Sequence, residues 1–312
     1  MQRERPQNIV SSQNFLHDAG LVARLLDQST ISPDDLVLEI GPGKGIITAQ
    51  LAERCRMVVA VEKDRELARR LGQRFADFPN VAIHAADFLD FPLPRCRYKV
   101  FANIPFIGTN AILAKLTARP TAPDDTYLAL QKEAAASLLG QPAESLSTVL
   151  LKSWLDVSVV HGFRRTDFVP APGVDVVMIR LRQRGPPLID RTDDQLFRDF
   201  VVYGFTAWRV SLRATFDRLF GHQRFSRLVQ EIGVDPAATP TNVQFDQWLR
   251  LFEGYKATLH AQAGGRVAGS EARLRQLQER RWKIRQLSGA ERPPCRPPLG
   301  LSKNQPTRCL NT

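Results

Sequence analysis

The chain has 312 residues, 43% of them hydrophobic, enough for one large domain plus a smaller one, or for two domains. No apolar run approaches the ~20 residues of a membrane-spanning helix, and the first fifteen residues lack the apolar core of a secretory signal. Four cysteines (Cys55, Cys96, Cys295, Cys309) and five dispersed histidines form neither a zinc pattern nor a disulfide framework, so a reduced cytoplasmic setting is expected. The net charge is +11, and residues 262–312 hold 11 lysines and arginines against three glutamates, +8 of that total. Such asymmetry points to a polyanion-binding tail, although a solvated appendage has the same composition.

Residues 36–40 (LVLEI) predict a first strand, and glycines lead from it into an amphipathic helical pattern over 46–54. MVVAVE (57–62) predicts a second strand, followed by a helix over 64–75. VAIHAAD (81–87), YKVFAN (98–103) and TYLALQ (126–131) predict three more, with a helix over 111–118 between the last two. KEAAASLLG (132–140) continues as helix, and the β-rich runs 156–163 and 174–182 close the sheet. Strands alternating with helical patterns indicate an α/β class, a mostly parallel sheet with helices on both faces.

QRGPPLID (183–190) breaks this alternation and reads as a linker. Over 193–208, 211–221, 225–234 and 242–255 apolar residues recur at three- and four-residue spacing, with arginines between them. Beyond residue 260 glycine, proline and charge dominate, apart from EARLRQLQERRWKIRQL (271–287), which suits a basic helix on RNA. The expected division is an α/β domain over 1–184, a helical domain over 185–260 and a basic, mostly disordered tail over 261–312.

The chemistry sits at strand ends. In EIGPGKG (39–45) the glycines let the backbone turn tightly and approach a ligand. No GK[ST] follows at phosphate-loop spacing, and a dinucleotide fingerprint starting at Gly41 needs glycine where Ile46 stands. Glu62 ends the second strand, where a carboxylate accepts both ribose hydroxyls of an adenosine moiety. Asp87 ends the third, placed to accept from an adenine amino group. Singly each is a solvated loop carboxylate; at consecutive strand ends they favour a nucleoside cofactor, either a nicotinamide dinucleotide or S-adenosylmethionine.

The fourth strand ends in FANIPF (101–106). Pro105 removes a backbone donor and holds Ile104 extended, giving a stiff turn that displays Asn103 and Phe106. Asn103 either caps the helix starting near Thr109 or receives a flat polar ligand beneath an aromatic face. The second reading separates the two cofactors, because hydride transfer has no use for this turn whereas methylation of an adenine amino group does. That amino group is a poor nucleophile, its lone pair delocalised into the ring. If Asn103 Oδ1 and a carbonyl of the 104–105 turn accept its hydrogens, the lone pair is localised, while Phe106 stacks on the flipped base.

With these motifs in order, residues 12–255 resemble the Erm group of ribosomal RNA adenine methyltransferases, relatives of the KsgA-type dimethyladenosine transferases. QNFL (13–16) is similar to the family's N-terminal cofactor motif, which implies Asn14 and Leu16 as cofactor contacts. EIGPGKG implies Gly41, VEKD implies Glu62, AADF implies Asp87 beside Phe88, and NIPF implies Asn103 (cofactor and catalysis) and Phe106. DFVPAPGVD (167–175) places Phe168 near the target base. The resemblance implies a Rossmann-like, seven-stranded S-adenosylmethionine-dependent methyltransferase sheet with a small helical C-terminal domain for RNA binding. It implies a monomer acting on one adenine of 23S ribosomal RNA, without metal or membrane. Methylation there blocks macrolide, lincosamide and streptogramin B antibiotics. A KsgA-type enzyme of 16S ribosomal RNA and a non-catalytic RNA-binding factor of the same fold are the alternatives. NIPF in place of an NLPY-type motif leans toward the large subunit, and intact Glu62, Asp87 and Asn103 argue for catalysis. The extension after residue 260 lies outside the resemblance.

Overall fold

Local signals start the elements where the site needs them. The computed structural model describes residues 14–207, 211–259 and 265–287. A two-residue strand, β1 (Phe15–Leu16), precedes α1 (Ala19–Asp27), whose N-terminus is capped by the Asp18 carboxylate and whose Leu21, Val22, Leu25 and Leu26 are buried. The chain continues through β2 (Leu36–Ile40), α2 (Ile46–Ala52), β3 (Met57–Glu62), α3 (Arg65–Arg74), β4 (Val81–Ala85), β5 (Lys99–Asn103), α4 (Thr109–Leu116) and β6 (Asp125–Gln131). There follow α5 (Lys132–Leu138), α6 (Leu146–Lys152), β7 (Leu155–Gly162), β8 (Phe168–Val169) and β9 (Val176–Gln183). The last helices are α7 (Asp194–Thr206), α8 (Leu212–Phe220), α9 (His222–Ile232), α10 (Phe245–Leu259) and α11 (Ser270–Leu287).

Among the described residues seven strands form one sheet, the number that the family resemblance implies, in the order β4-β3-β2-β5-β6-β9-β7. The pairs from β4 to β6 are parallel and β9 runs antiparallel to β6. Central β2 reads as a nearly continuous apolar run because it is covered on both faces. From β2 the chain winds outward through β3 and β4, then returns to the other side of β2 with β5. Such a reversal opens a crevice at the carboxyl ends of the strands. Here β2 and β5 pair only as far as Leu38↔Val100, so Ile40 and Asn103 are free to part around a ligand. The short strands β1 and β8 pair antiparallel, Phe15↔Val169 and Leu16↔Phe168.

The described residues divide into two compact units, a sheet unit (14–135 and 156–183) and a helical unit (136–155 and 184–287). The helical unit is built on aromatic packing: Phe200 lies 5.0 Å from Tyr255, 5.3 Å from Phe216 and 5.7 Å from Phe252, centroid to centroid. Gly204, inside α7, makes room for Trp248, since a Cβ there would stand 2.5 Å from its indole.

The expected division at 184/185 and 260/261 needs three corrections. Residues 136–155 belong with the helices, because a Ser145–Thr148 capping box starts α6 and Val149 is buried in the aromatic core. The linker is not free of the fold, since Ile189 is buried in the same core. Most importantly, the tail is not disordered from 261 onward. Val267 is fully buried, and α11 docks on α7 through Asp199, Arg198 and Glu271. Removing everything after residue 261 would therefore cut into a packed unit. Residues 1–13, 208–210, 260–264 and 288–312, including Gln13 and the rest of the expected tail, lie outside the described residues.

Candidate active site

A cavity of about 450 Å³ opens at the carboxyl edge of the sheet, walled by residues that follow β2, β3, β4 and β5. After β2 the chain turns through Gly41 and Gly43, both at positive φ (67° and 58°). Gly41 N–H donates to the Val61 carbonyl at 3.0 Å, and Gly43 N–H donates to Glu62 Oε2 at 3.1 Å. A Cβ on Gly43 would lie 2.4 Å from the Phe15 ring, so only glycine lets loop and ring meet on this wall. Glu62 is 2% exposed, and its other oxygen accepts from Asp64 N–H at 2.9 Å. Asp64 in turn caps α3 through Glu66 and Leu67 N–H. A glycine turn and a helix cap thus aim one buried carboxylate, each oxygen keeping a lone pair for the cavity.

Asp87 stands two residues past the end of β4 rather than within it. Its Oδ1 accepts from Leu89 N–H at 2.9 Å, and its Oδ2 lies 2.7 Å from Lys63 Nζ, which holds the carboxyl below its ordinary range. The sequence predicts Asp87 as an acceptor for an adenine amino group, and here Lys63 competes for it. Lys63 is 79% exposed, and such an ion pair is worth only about 0–1 kcal/mol, so a ligand displaces it easily.

Lys115, which no motif marks, braces the loop that carries Asp87. From the last turn of α4 its ammonium donates to Phe88 O at 2.6 Å, Leu89 O at 2.8 Å and Phe91 O at 2.5 Å, and it lies 4.9 Å from the Phe88 ring centroid. All three ammonium donors are used on the loop that carries Asp87, and burial lowers the amine's pKa. In sequence a lysine in a last helical turn looks like an ordinary dipole partner. Only its convergence with a loop 24–27 residues earlier reveals the clamp.

The fourth wall is the NIPF turn. Asn103 Nδ2 donates to the Asn14 carbonyl at 2.7 Å, which fixes the amide with Oδ1 as its open acceptor. The capping alternative falls, because the N-cap of α4 is Gly108, with no side-chain cap. Thr109 Oγ1 donates to Pro105 O at 3.0 Å and Phe106 O at 3.2 Å, anchoring the turn to the helix. Phe106 lines the cavity half-buried, while Ile107 is 72% exposed at its mouth. Asn14 also donates from Nδ2 to Pro170 O at 2.7 Å, so one residue links the NIPF turn to the segment after β8.

Two expected contacts do not reach the cavity. Leu16 and Phe168 are opposite one another in the β1–β8 pair, 4% and 2% exposed, and neither lines it. Alternation along these strands turns both side chains into the core, where Phe168 packs edge-on against Phe163 at 5.2 Å. Phe106 packs on that same core, so Phe168 supports the wall from behind rather than touching a base. Gly41, Glu62, Asp87, Asn14, Asn103 and Phe106 are brought together as walls of one cavity.

Glu39 lies just behind, 1% exposed, with Oε2 accepting from Thr48 Oγ1 at 2.7 Å and Oε1 without a partner. Burial, with help from the Glu62 charge, pushes its carboxyl up to about 8. Among the described residues no cluster of three or more histidines, cysteines or carboxylates forms a metal site, and no helix is long and apolar enough to cross a membrane.

A sequence profile of the family described as ribosomal RNA adenine dimethylase matches residues 6–257. An rRNA adenine N-6-methyltransferase of Saccharopolyspora erythraea is 33% identical over 242 residues, 77% of this chain but 63% of that relative's own length. Ribosomal RNA small subunit methyltransferase A of Protochlamydia amoebophila is 32% identical over 262 residues, covering 80% of this chain and 92% of that one. Among solved structures, the crystal structure of 23S rRNA methyltransferase ErmE superposes with a TM-score of 0.72 at 31% identity, over 78% of this chain and 100% of that one.

Proposed function

Because the chain belongs to the ribosomal RNA adenine dimethylase family, we propose that it methylates the 6-amino group of one adenine in 23S ribosomal RNA, with S-adenosylmethionine as donor. One observation carries this reading: the Asn103 amide is held by Asn14 with its oxygen open, beside Pro105 and Phe106, in the cavity that also holds Glu62 and Asp87. The site fits the donor. Glu62 offers acceptors for a ribose diol, Asp87 and Phe88 suit an adenine edge and face, and the glycine loop lets backbone approach closely.

When bound, S-adenosylmethionine supplies a methyl group activated by a sulfonium leaving group. The protein's task is then to position and polarise the amine. Asn103 Oδ1 accepts one amino hydrogen. A backbone carbonyl of the 104–105 turn accepts the second, and Thr109 Oγ1 steadies that turn through Pro105 O. Both acceptors draw the nitrogen lone pair out of conjugation, and their dipoles stabilise the positive charge that grows on nitrogen as it is methylated. The surplus proton leaves to solvent along these oxygens. Phe106 stacks on the extruded base, and Phe168 holds the core on which Phe106 rests.

NIPF and the likeness to ErmE favour the large subunit, with resistance to macrolide, lincosamide and streptogramin B antibiotics as the consequence. The division of labour follows: the sheet unit binds donor and base, and the helical unit binds RNA. The test is methylation of protein-free 23S and 16S ribosomal RNA with labelled donor, followed by nucleoside analysis. N6-methylated adenosine in 23S alone is expected. Label in 16S alone would make this a small-subunit enzyme, and label in neither would leave an RNA-binding factor.

A further inference from the structure

Helix α11 lies beyond residue 257, where the match to the family ends, yet it is built firmly onto the helical unit. Asp199 of α7, 5% exposed, accepts from Gly269 N–H and Glu271 N–H, both at 2.8 Å, and so caps the start of α11. Arg198 donates two hydrogen bonds to the buried Glu271 carboxylate, and Gln195 donates a third at 3.1 Å. Ser270 Oγ donates to the carbonyl of fully buried Val267 at 2.6 Å. A buried ion pair of this kind adds little net stability, but it fixes register and direction, because either partner alone would be a stranded charge.

What this anchor holds out begins with a stretch that buries no side chain. Residues 276–281 are all exposed, including Leu277 at 56%. Residues 272–287 carry six lysines and arginines against the single Glu279. Arg273 is occupied by the carbonyls of Arg266 and Ala268, and Arg275 stands 3.8 Å from Glu271, whereas Arg280 and Arg281 are exposed. The twelve residues from 276 to 287 extend about 18 Å as a helix, the span of several successive backbone phosphates. Burial does not account for residues 276–281, and the charge of this stretch suits a polyanion.

We infer that α11 is a fixed basic arm that grips ribosomal RNA phosphates outside the methylation site, extending the substrate footprint beyond the family core. This rests on the ribosomal RNA reading of the site above. Its contribution is electrostatic and independent of base sequence, and the helix rather than the charge alone gives it reach.

The experiment measures binding of the full-length protein to protein-free 23S ribosomal RNA transcript across a salt series. Three proteins are compared: wild type, the exposed double variant Arg280→Gln/Arg281→Gln, and Gln278→Pro, which keeps every charge but breaks the helix. Losing two phosphate contacts should make the log K versus log salt slope shallower by about 1.4–1.8 and weaken low-salt binding by about 5- to 10-fold. Gln278→Pro should lose a similar factor despite unchanged charge. Melting temperature and donor affinity should stay at wild-type values in both. A double variant with the wild-type slope overturns the inference, as does a Gln278→Pro protein that binds like wild type, since loose charge would then suffice. A wild-type dimer that the variants dissociate, with RNA slopes unchanged, overturns it in favour of self-association. If wild type methylates 23S RNA while all three slopes coincide, the inference fails alone; if no ribosomal RNA is methylated, the site reading fails with it.

Discussion

Replacing Lys115 by methionine keeps the length and apolar stem of the side chain and removes only the ammonium. Three charge-assisted hydrogen bonds to Phe88, Leu89 and Phe91 carbonyls disappear, together with the cation over the Phe88 ring. Bonds to a charged group are worth about 1.5–3 kcal/mol each, but this loop is half-buried and water recovers part of the loss, leaving a net ~2–4 kcal/mol. The cost falls on the order of residues 87–91, where Asp87 accepts from Leu89, Asp90 and Phe91 N–H. Donor binding must re-order that loop, so the dissociation constant for S-adenosylmethionine should rise about 5- to 30-fold, ~1–2 kcal/mol. Turnover at saturating donor should change little. Calorimetry gives the affinity, and hydrogen exchange of amides 89–91 should accelerate in parallel. An affinity within twofold of wild type, with unchanged exchange, would refute the clamp.

Other substitutions probe the remaining walls. Glu62→Ala removes the acceptor of Gly43 and Asp64 N–H as well as that of the ribose, and should weaken donor binding by ~1–3 kcal/mol. Unchanged calorimetric affinity in the folded variant would reject this. Asn103→Ala should lower turnover on RNA far more than RNA affinity, because its contact strengthens as the amine pyramidalises, and a near-normal single-turnover rate would sink amine activation. Phe106→Ala should be similarly severe, whereas Phe106→Tyr keeps the stacking face and most activity. Glu39 is raised from 4.5 to about 8 in the fold, so the folded state holds a proton that the unfolded chain gives up. Its stabilising contribution is complete below about pH 4.5 and is lost as pH rises through 8, at up to ~1.4 kcal/mol per pH unit. Glu39→Gln should flatten the decline in thermal stability between pH 5.5 and 8, and parallel wild-type and variant profiles would contradict it.

Much of the sheet unit is legible in the sequence because its signals are local. LVLEI and MVVAVE become β2 and β3 at the expected bounds, and Glu62 ends β3 as its position predicts. Glycines, a strand end and a proline turn each declare their geometry within a few residues. What stayed hidden depends on distant partners. Phe168 and Leu16 face inward only because β1 finds β8 more than 150 residues later. Lys115 matters only through carbonyls of another loop, and Asp87 meets Lys63 from the loop after the neighbouring strand β3. The tail misled for the same reason: 265–281 is poor in apolar residues, and its order comes from Arg198 and Asp199 of α7 rather than from its own composition.

The enzyme's activity is tested most directly by the position and chemistry of the mark it leaves on ribosomal RNA. Ribosomal RNA from cells lacking the protein, making the wild type, or making Asn103→Ala should be digested and its adenosines mapped by mass spectrometry of fragments. The wild type should leave one N6-methylated adenosine in the peptidyl-transferase region of 23S RNA, and Asn103→Ala none. An unmodified 23S RNA, or a methyl group on any atom other than N6, would contradict it.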